Sequence, residues 1–136
     1  MSGKLWATVA VATVLIFSIA SDLHAGSDRL LITELMASNS STLSDEDGDQ
    51  SDWIEIYNPG TTAVDLSGWY LTDDPADLTK WSFPAVTINP GAYLVVFASD
   101  KNRTTSQLHT NFKLSASGEY LGLIEADGTT IASDYA

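Results

Sequence analysis

The chain has 136 residues and 14.6 kDa, the span of one domain of common size, which leaves no room for a multi-domain enzyme. Hydrophobic residues make up 44% and charged residues 18%, enough apolar content to bury a core and too little charge for a disordered chain. Six Lys and Arg against 18 Asp and Glu give a formal charge of −12, which opposes nucleic acid and anionic lipid, and the absence of cysteine removes disulfides, thiolate nucleophiles and zinc–thiolate sites together.

Lys4 is followed by Leu5 to Ala20, an uncharged apolar run interrupted only by Thr8, Thr13 and Ser18. A positive start, an apolar stretch of this length and small residues before a cleavage point form the pattern of a secretory signal. Residues 1–25 are therefore expected to be a signal peptide and 26–136 the mature domain, placed outside the cytoplasm in the extracellular space, at the cell surface or in the periplasm. Cleavage after Ala20 or after Ala25 fits the small-residue rule. A retained anchor is the alternative reading, although the run falls slightly short of the roughly 20 residues a bilayer requires. Removal of the segment takes Lys4 and Asp22 together, so the mature charge remains −12.

From Leu30 onward short apolar runs alternate with turn-formers, and no amphipathic helical stretch occurs. Strands are expected at Leu30–Met36, Trp53–Tyr57, Gly68–Thr72, Lys80–Phe83, Ala92–Ala98, Glu119–Glu125 and Thr129–Asp134. Asn58-Pro59-Gly60, Asn89-Pro90-Gly91 and Asp127-Gly128 supply turns between them, the last joining two strands as a hairpin. Seven short strands in about 105 residues predict an all-β fold, a β-sandwich in preference to a small barrel. Within Trp53–Tyr57, alternation sends Ile54 and Ile56 to the core and Trp53, Glu55 and Tyr57 to the other face. Proline removes a ladder donor after Asn58, Gly60 permits a positive φ, and Gly68 is expected to let a strand pass closely under the Trp69 indole.

Read in order, Ile32-Thr33-Glu34-Leu35, Trp53-Ile54-Glu55-Ile56-Tyr57-Asn58-Pro59-Gly60, Val64-Asp65-Leu66-Ser67-Gly68-Trp69-Tyr70-Leu71-Thr72-Asp73-Asp74 and Phe97 resemble the lamin tail domain. The likeness continues through Leu114–Ser117, Glu119–Asp127 with Gly128, and Ile131–Tyr135, so it covers about Leu30 to Tyr135. Glu34, Trp53, Glu55, Tyr57, Asn58, Gly60, Leu66, Gly68, Trp69 and Leu71 carry its fold signature. The resemblance implies an immunoglobulin-like β-sandwich of the kind found at the C-terminus of nuclear lamins and in many exported bacterial proteins. It also implies a module for attachment or assembly beside other domains, with no catalytic residues to carry over. Lamins contact DNA through basic surfaces, which this acidic chain lacks.

Three groups of residues invite a chemical reading. Asp45-Glu46-Asp47-Gly48-Asp49-Gln50-Ser51-Asp52 packs five carboxylates around a glycine, and hard cations favour such oxygen clusters. Calcium on Asp45, Asp47, Asp49 and Asp52 is the one cofactor expectation, weighed against a solvated acidic loop; glycine at the fourth position and Ile56 in place of a bidentate glutamate exclude an EF-hand. Asp73, Asp74 and Asp77 around Pro75 read as a turn. Trp53, Trp69, Trp81, Tyr57, Tyr70, Tyr93 and Tyr120 would bind polysaccharide if exposed in a row, with Trp81 and Tyr70 as the stacking pair, and would otherwise pack in the core. His109 is expected in a loop or at a strand edge, and no nucleophile elbow, phosphate loop or His-x-x-x-His pair supports a hydrolase. The expected partner is a protein or cell-surface component, reached through an exposed sheet edge or the loops Ser38–Asp52, Thr72–Thr79 and Asp100–Ser106.

Overall fold

The computed structural model describes residues 29–136, so the expected signal peptide and its cleavage points lie outside the described residues. The strands, in chain order, are β1 (Leu31–Met36), β2 (Asp52–Tyr57), β3 (Val64–Asp65), β4 (Tyr70–Thr72), β5 (Trp81–Ser82), β6 (Thr87–Ile88), β7 (Tyr93–Ala98), β8 (Leu108–His109), β9 (Leu121–Ile124) and β10 (Ile131–Tyr135). They form one sheet in the order β1-β2-β7-β8, a second in the order β10-β9-β4-β5, and a small β3-β6 ribbon. Every described pairing is antiparallel except β7 with β8. This is the all-β, immunoglobulin-like sandwich that the strand pattern predicts.

All seven expected strands are present, each within two residues of its expected limits. The additional β3, β6 and β8 have two residues apiece, too short for a period-2 pattern to register. Between the sheets, Ile32, Ile54, Ile56 and Val96 of one layer meet Leu71, Trp81, Leu121 and Leu123 of the other, all buried in a single cluster. Ile54 and Ile56 are fully buried and Glu55 is not, as their alternation requires.

Asn58 closes the end of β2. Fully buried, it donates through Nδ2 to the carbonyls of Thr62 (2.8 Å) and Ile88 (2.9 Å), and its Oδ1 accepts the Gly60 amide at 2.9 Å. Its own amide donates to Ala92 and its carbonyl accepts from Gly91, so one side chain and its backbone tie β2 to the start of β7 and to β6 with no polar group left bare. The fixed Gly60 amide, not a positive φ, explains that turn, since Gly60 is absent from the left-handed region. Gly68 is also corrected: φ is +76° and the nearest atom to an added Cβ is 3.9 Å away, so glycine is needed for the Leu66–Trp69 turn and not for close approach under the half-buried indole.

Close approach is instead the requirement at Gly122 in β9, where an added Cβ would stand 2.7 Å from Tyr120 Oη and 3.0 Å from its Cε1. The Tyr120 ring lies across this bare position. Gly122→Ala is expected to cost about 1–2 kcal/mol, because the half-buried ring must shift. Thermal unfolding of Gly122→Ala in the wild-type and Tyr120→Ala backgrounds checks this: the cost should shrink to within about 0.5 kcal/mol once the ring is gone.

Candidate functional site

The acidic loop folds around a lysine. Asp45 is buried, and its Oδ1 accepts the amides of Asp47 and Asp49 (both 3.0 Å) while Oδ2 accepts Ser51 Oγ (2.8 Å). Gly48 turns the chain with φ +82° so that its amide returns to the Asp45 carbonyl. Lys101, from the segment after β7, then directs its ammonium at Asp45 Oδ2 (2.6 Å), Asp47 Oδ2 (2.8 Å) and Asp49 Oδ2 (2.9 Å). Three donors meet three carboxylates, which saturates the ammonium. Arg103 Nη1 adds a bond to Asp47 (2.8 Å) and one to Glu46 (3.2 Å), and Glu46 clasps Gln107 through its amide and Oε2.

The four carboxylates Asp45, Glu46, Asp47 and Asp49 are thus partly balanced by Lys101 and Arg103, and the expected calcium ligands are redistributed. Asp45, Asp47 and Asp49 converge closely enough to hold an ion, but the Lys101 ammonium is what they hold. Asp52 stands apart, accepting the Asn39 amide at 3.0 Å. Burial raises the Asp45 pKa, but Lys101, Ser51 and the Asp49 and Asp47 amides outweigh it and hold the carboxyl at about 2. Burial disfavours the Lys101 charge too, and the same aspartates overcome it and raise its pKa.

Behind this loop lies a serine–histidine pair. His109 ends β8, the edge strand of the first sheet, as expected, and is fully buried there, stacked on Phe97 with centroids 5.3 Å apart. Its Nδ1 bonds Ser99 Oγ at 2.8 Å, and Nε2 lies 3.8 Å from Glu46 Oε1. Burial lowers the imidazole pKa against the pull of Glu46 and Asp45, so the ring is neutral at pH 7. Ser99 Oγ also accepts the Lys101 amide at 3.3 Å. The imidazole is sealed from any substrate, and the pair ties β8 to the end of β7.

The second acidic group is a turn. Asp74 and Asp77 carboxylates accept the amides of Ala76 and Thr79, Thr72 Oγ1 donates to the Asp77 carbonyl, and Asp73 pairs with Lys80 at 2.6 Å. The proposed glycan rings are not available as a pair. Trp81 is 3% exposed, edge-on to Phe83 in the core, and Tyr70 is half-buried in the same row as Ile124, which it helps to cover.

The outer face of the first sheet holds the accessible rings instead. Register sets three rows across it: Met36, Trp53, Phe97 and His109; then Glu34, Glu55 and Val95; then Leu31, Tyr57 and Tyr93. Loop residues cover the first row, where Trp53 is buried and its indole N–H donates to Thr42 Oγ1 at 3.2 Å. The other two rows are open among the described residues. Tyr57 and Tyr93 stack at 4.5 Å, Tyr93 is 59% exposed, and Leu31 is exposed beside them. Glu34 and Glu55 stand directly opposite each other in the ladder, with Glu55 Oε1 accepting Thr33 Oγ1 at 2.8 Å.

Residues 24–135 match the family model of the lamin tail domain. The chain belongs to the lamin tail domain family. No curated protein matches it. The signature residues that carried the resemblance hold this fold: Leu66 and Leu71 are fully buried core, Trp53 and Asn58 are buried, Trp69 packs against the core, and Glu34, Glu55 and Tyr57 line the outer face. Lamin tail domains are immunoglobulin-like and non-enzymatic. Sequence reasoning missed Lys101 and the Ser99–His109 pair, since each is an isolated residue whose partners lie up to 56 positions away.

Three outcomes follow from the lysine-filled loop. Asp45 is favoured as the ionised form by folding, so its contribution is complete above about pH 4 and is lost as pH falls through about 2. Melting temperatures between pH 6 and pH 2 should fall more steeply in that window for wild type than for Asp45→Asn. Lys101→Ala should cost about 2 kcal/mol, less than a fully sealed pair because a fifth of the lysine side chain is exposed. Calcium calorimetry should give a flat isotherm for wild type and binding on the order of 10⁻⁴–10⁻³ M for Lys101→Ala, where the carboxylates lose their ammonium.

Proposed function

We propose that this chain is an exported, non-catalytic module that binds a protein or other cell-surface component and serves attachment or assembly, either alone or as an accessory domain of a longer protein. The observation that carries this reading is the open outer face of β1-β2-β7, where Leu31 and the Tyr57–Tyr93 stack stand exposed on a rigid sheet. Exposed aromatic and aliphatic groups of this kind are over-represented where proteins meet. Export is supported by the charge and hydropathy pattern of residues 1–25. Among the described residues no helix is long and apolar enough to cross a membrane. The charge of −12 disfavours nucleic acid, and the burial of Trp81 takes away a ring on which the polysaccharide alternative rested.

Replacing Tyr93 by a photo-crosslinking phenylalanine analogue in the native exported protein tests the reading. An adduct of defined mass is expected from position 93 and not from the same analogue at Ala76, an exposed site in the β4–β5 turn of the other sheet. No adduct from Tyr93, or turnover of ester, phosphoester or glycoside substrates by the purified protein, would overturn it.

A further inference from the structure

The first sheet is incomplete along one strand. β8 runs beside Val96 and Phe97 only, so among the described residues no strand lies next to Tyr93, Leu94 and Val95 on the side away from β2. The chain before β8 does not pair with β7: Ser106 takes a left-handed φ of +62°, and Gln107 is held by Glu46. A cleft of about 370 Å³ remains against β7, lined by Pro84, Ala85, Val86, Leu94, Val95 and Leu108, with only neutral Thr104, Ser106 and Gln107 besides. An unpaired edge beside an apolar cleft is the arrangement that strand addition uses, with main-chain bonds for affinity and a cleft for alternate side chains.

We propose that an extended, basic segment of a partner protein adds as a strand to the open edge of β7 at Tyr93–Val95. The inference rests on the protein-binding reading above and names the partner's chemistry. Side chains of an added strand alternate. One set enters the cleft, whose lining carries no charge and suits aliphatic groups. The other set lies on the outer face beside Tyr93 and Val95, with Glu55 and then Glu34 farther along the Val95 row on β2 and β1. Tyr57 covers one face of the Tyr93 ring, which leaves the face turned away from β2 for an ammonium or guanidinium group. Like charges directly opposite in a ladder destabilise it, and a long cationic side chain reaching across Val95 toward Glu55 meets the negative field of the Glu34–Glu55 pair. A chain of charge −12 attracts such a segment and repels a second copy of itself, so the occupant is basic and foreign.

The probe is a capped heptapeptide alternating lysine with valine, titrated into the full chain and followed by calorimetry and backbone amide shifts. A glutamate–valine heptapeptide is the control. Binding is expected for the lysine peptide alone, with shifts concentrated at Tyr93, Leu94, Val95 and Leu108. Glu34→Gln with Glu55→Gln should weaken it about tenfold, whereas the equal charge removal Asp74→Asn with Asp77→Asn should change it less than about threefold. Ala85→Arg, at an exposed cleft position, should abolish the shifts at 93–95 without lowering the melting temperature. Glu34→Gln alone should raise that temperature, since it removes the cross-strand repulsion. Shifts spread over the acidic surface, equal loss from the two double variants, or undiminished binding by Ala85→Arg would overturn the inference. If the peptide fails to bind while Tyr93 still forms its crosslinked adduct, strand addition falls and the module reading stands; absence of both removes both.

Discussion

The Lys101 ammonium is the contact on which the arrangement of this surface depends. It brings together three aspartates of one loop, one of them buried, from a position 52 to 56 residues along the chain. Without it Asp45 would be a carboxylate desolvated against a crowd of like charges, a costly state. With it, the loop closes on the segment after β7 and becomes a wall. Glu46, clasped to Arg103 and Gln107, extends the same fastening to the approach of β8.

That fastening divides the outer face of the first sheet. Near the loop, Thr42 bonds Trp53, and His109 lies under Phe97 in a small second core outside the sandwich. Farther along β2 and β7 the cover ends, and the Glu34–Glu55 and Tyr57–Tyr93 rows are left open. The clasp that fastens the acidic loop thus also decides which aromatics are sealed and which are presented. It also holds Gln107, which with Thr104 and Ser106 lines the cleft beside Leu94 and Val95, so the open edge and the open face adjoin.

Much of the architecture was legible because it rests on local rules. Period-2 alternation placed Ile54 and Ile56 inward, and Asp127-Gly128 made the β9–β10 hairpin, with Gly128 at φ +73° and its amide on the Glu125 carbonyl. Two-residue strands carry no period, so β3, β6 and β8 escaped notice, whereas two-residue β5 was marked by the bulky apolar Trp81 and Phe83 flanking Ser82. The glycines show the same limit. Gly68 was assigned a packing role and has a conformational one, while Gly122, unremarked in the sequence, is the position that a neighbouring ring requires to be bare.

By itself, the sequence determined an all-β sandwich of the lamin tail domain family, an acidic surface and the candidate acidic loop, because strand alternation, turn chemistry and charge are properties of neighbouring residues. Tertiary structure alone decided that an ammonium fills that loop, that Asp52 stands outside it, that Trp81 is core while Tyr93 is surface, and that His109 is buried against Ser99. Each of these depends on residues distant in the chain meeting across a sheet or loop, and no local pattern records which cation will reach which carboxylate or which face of a strand a distant loop will cover.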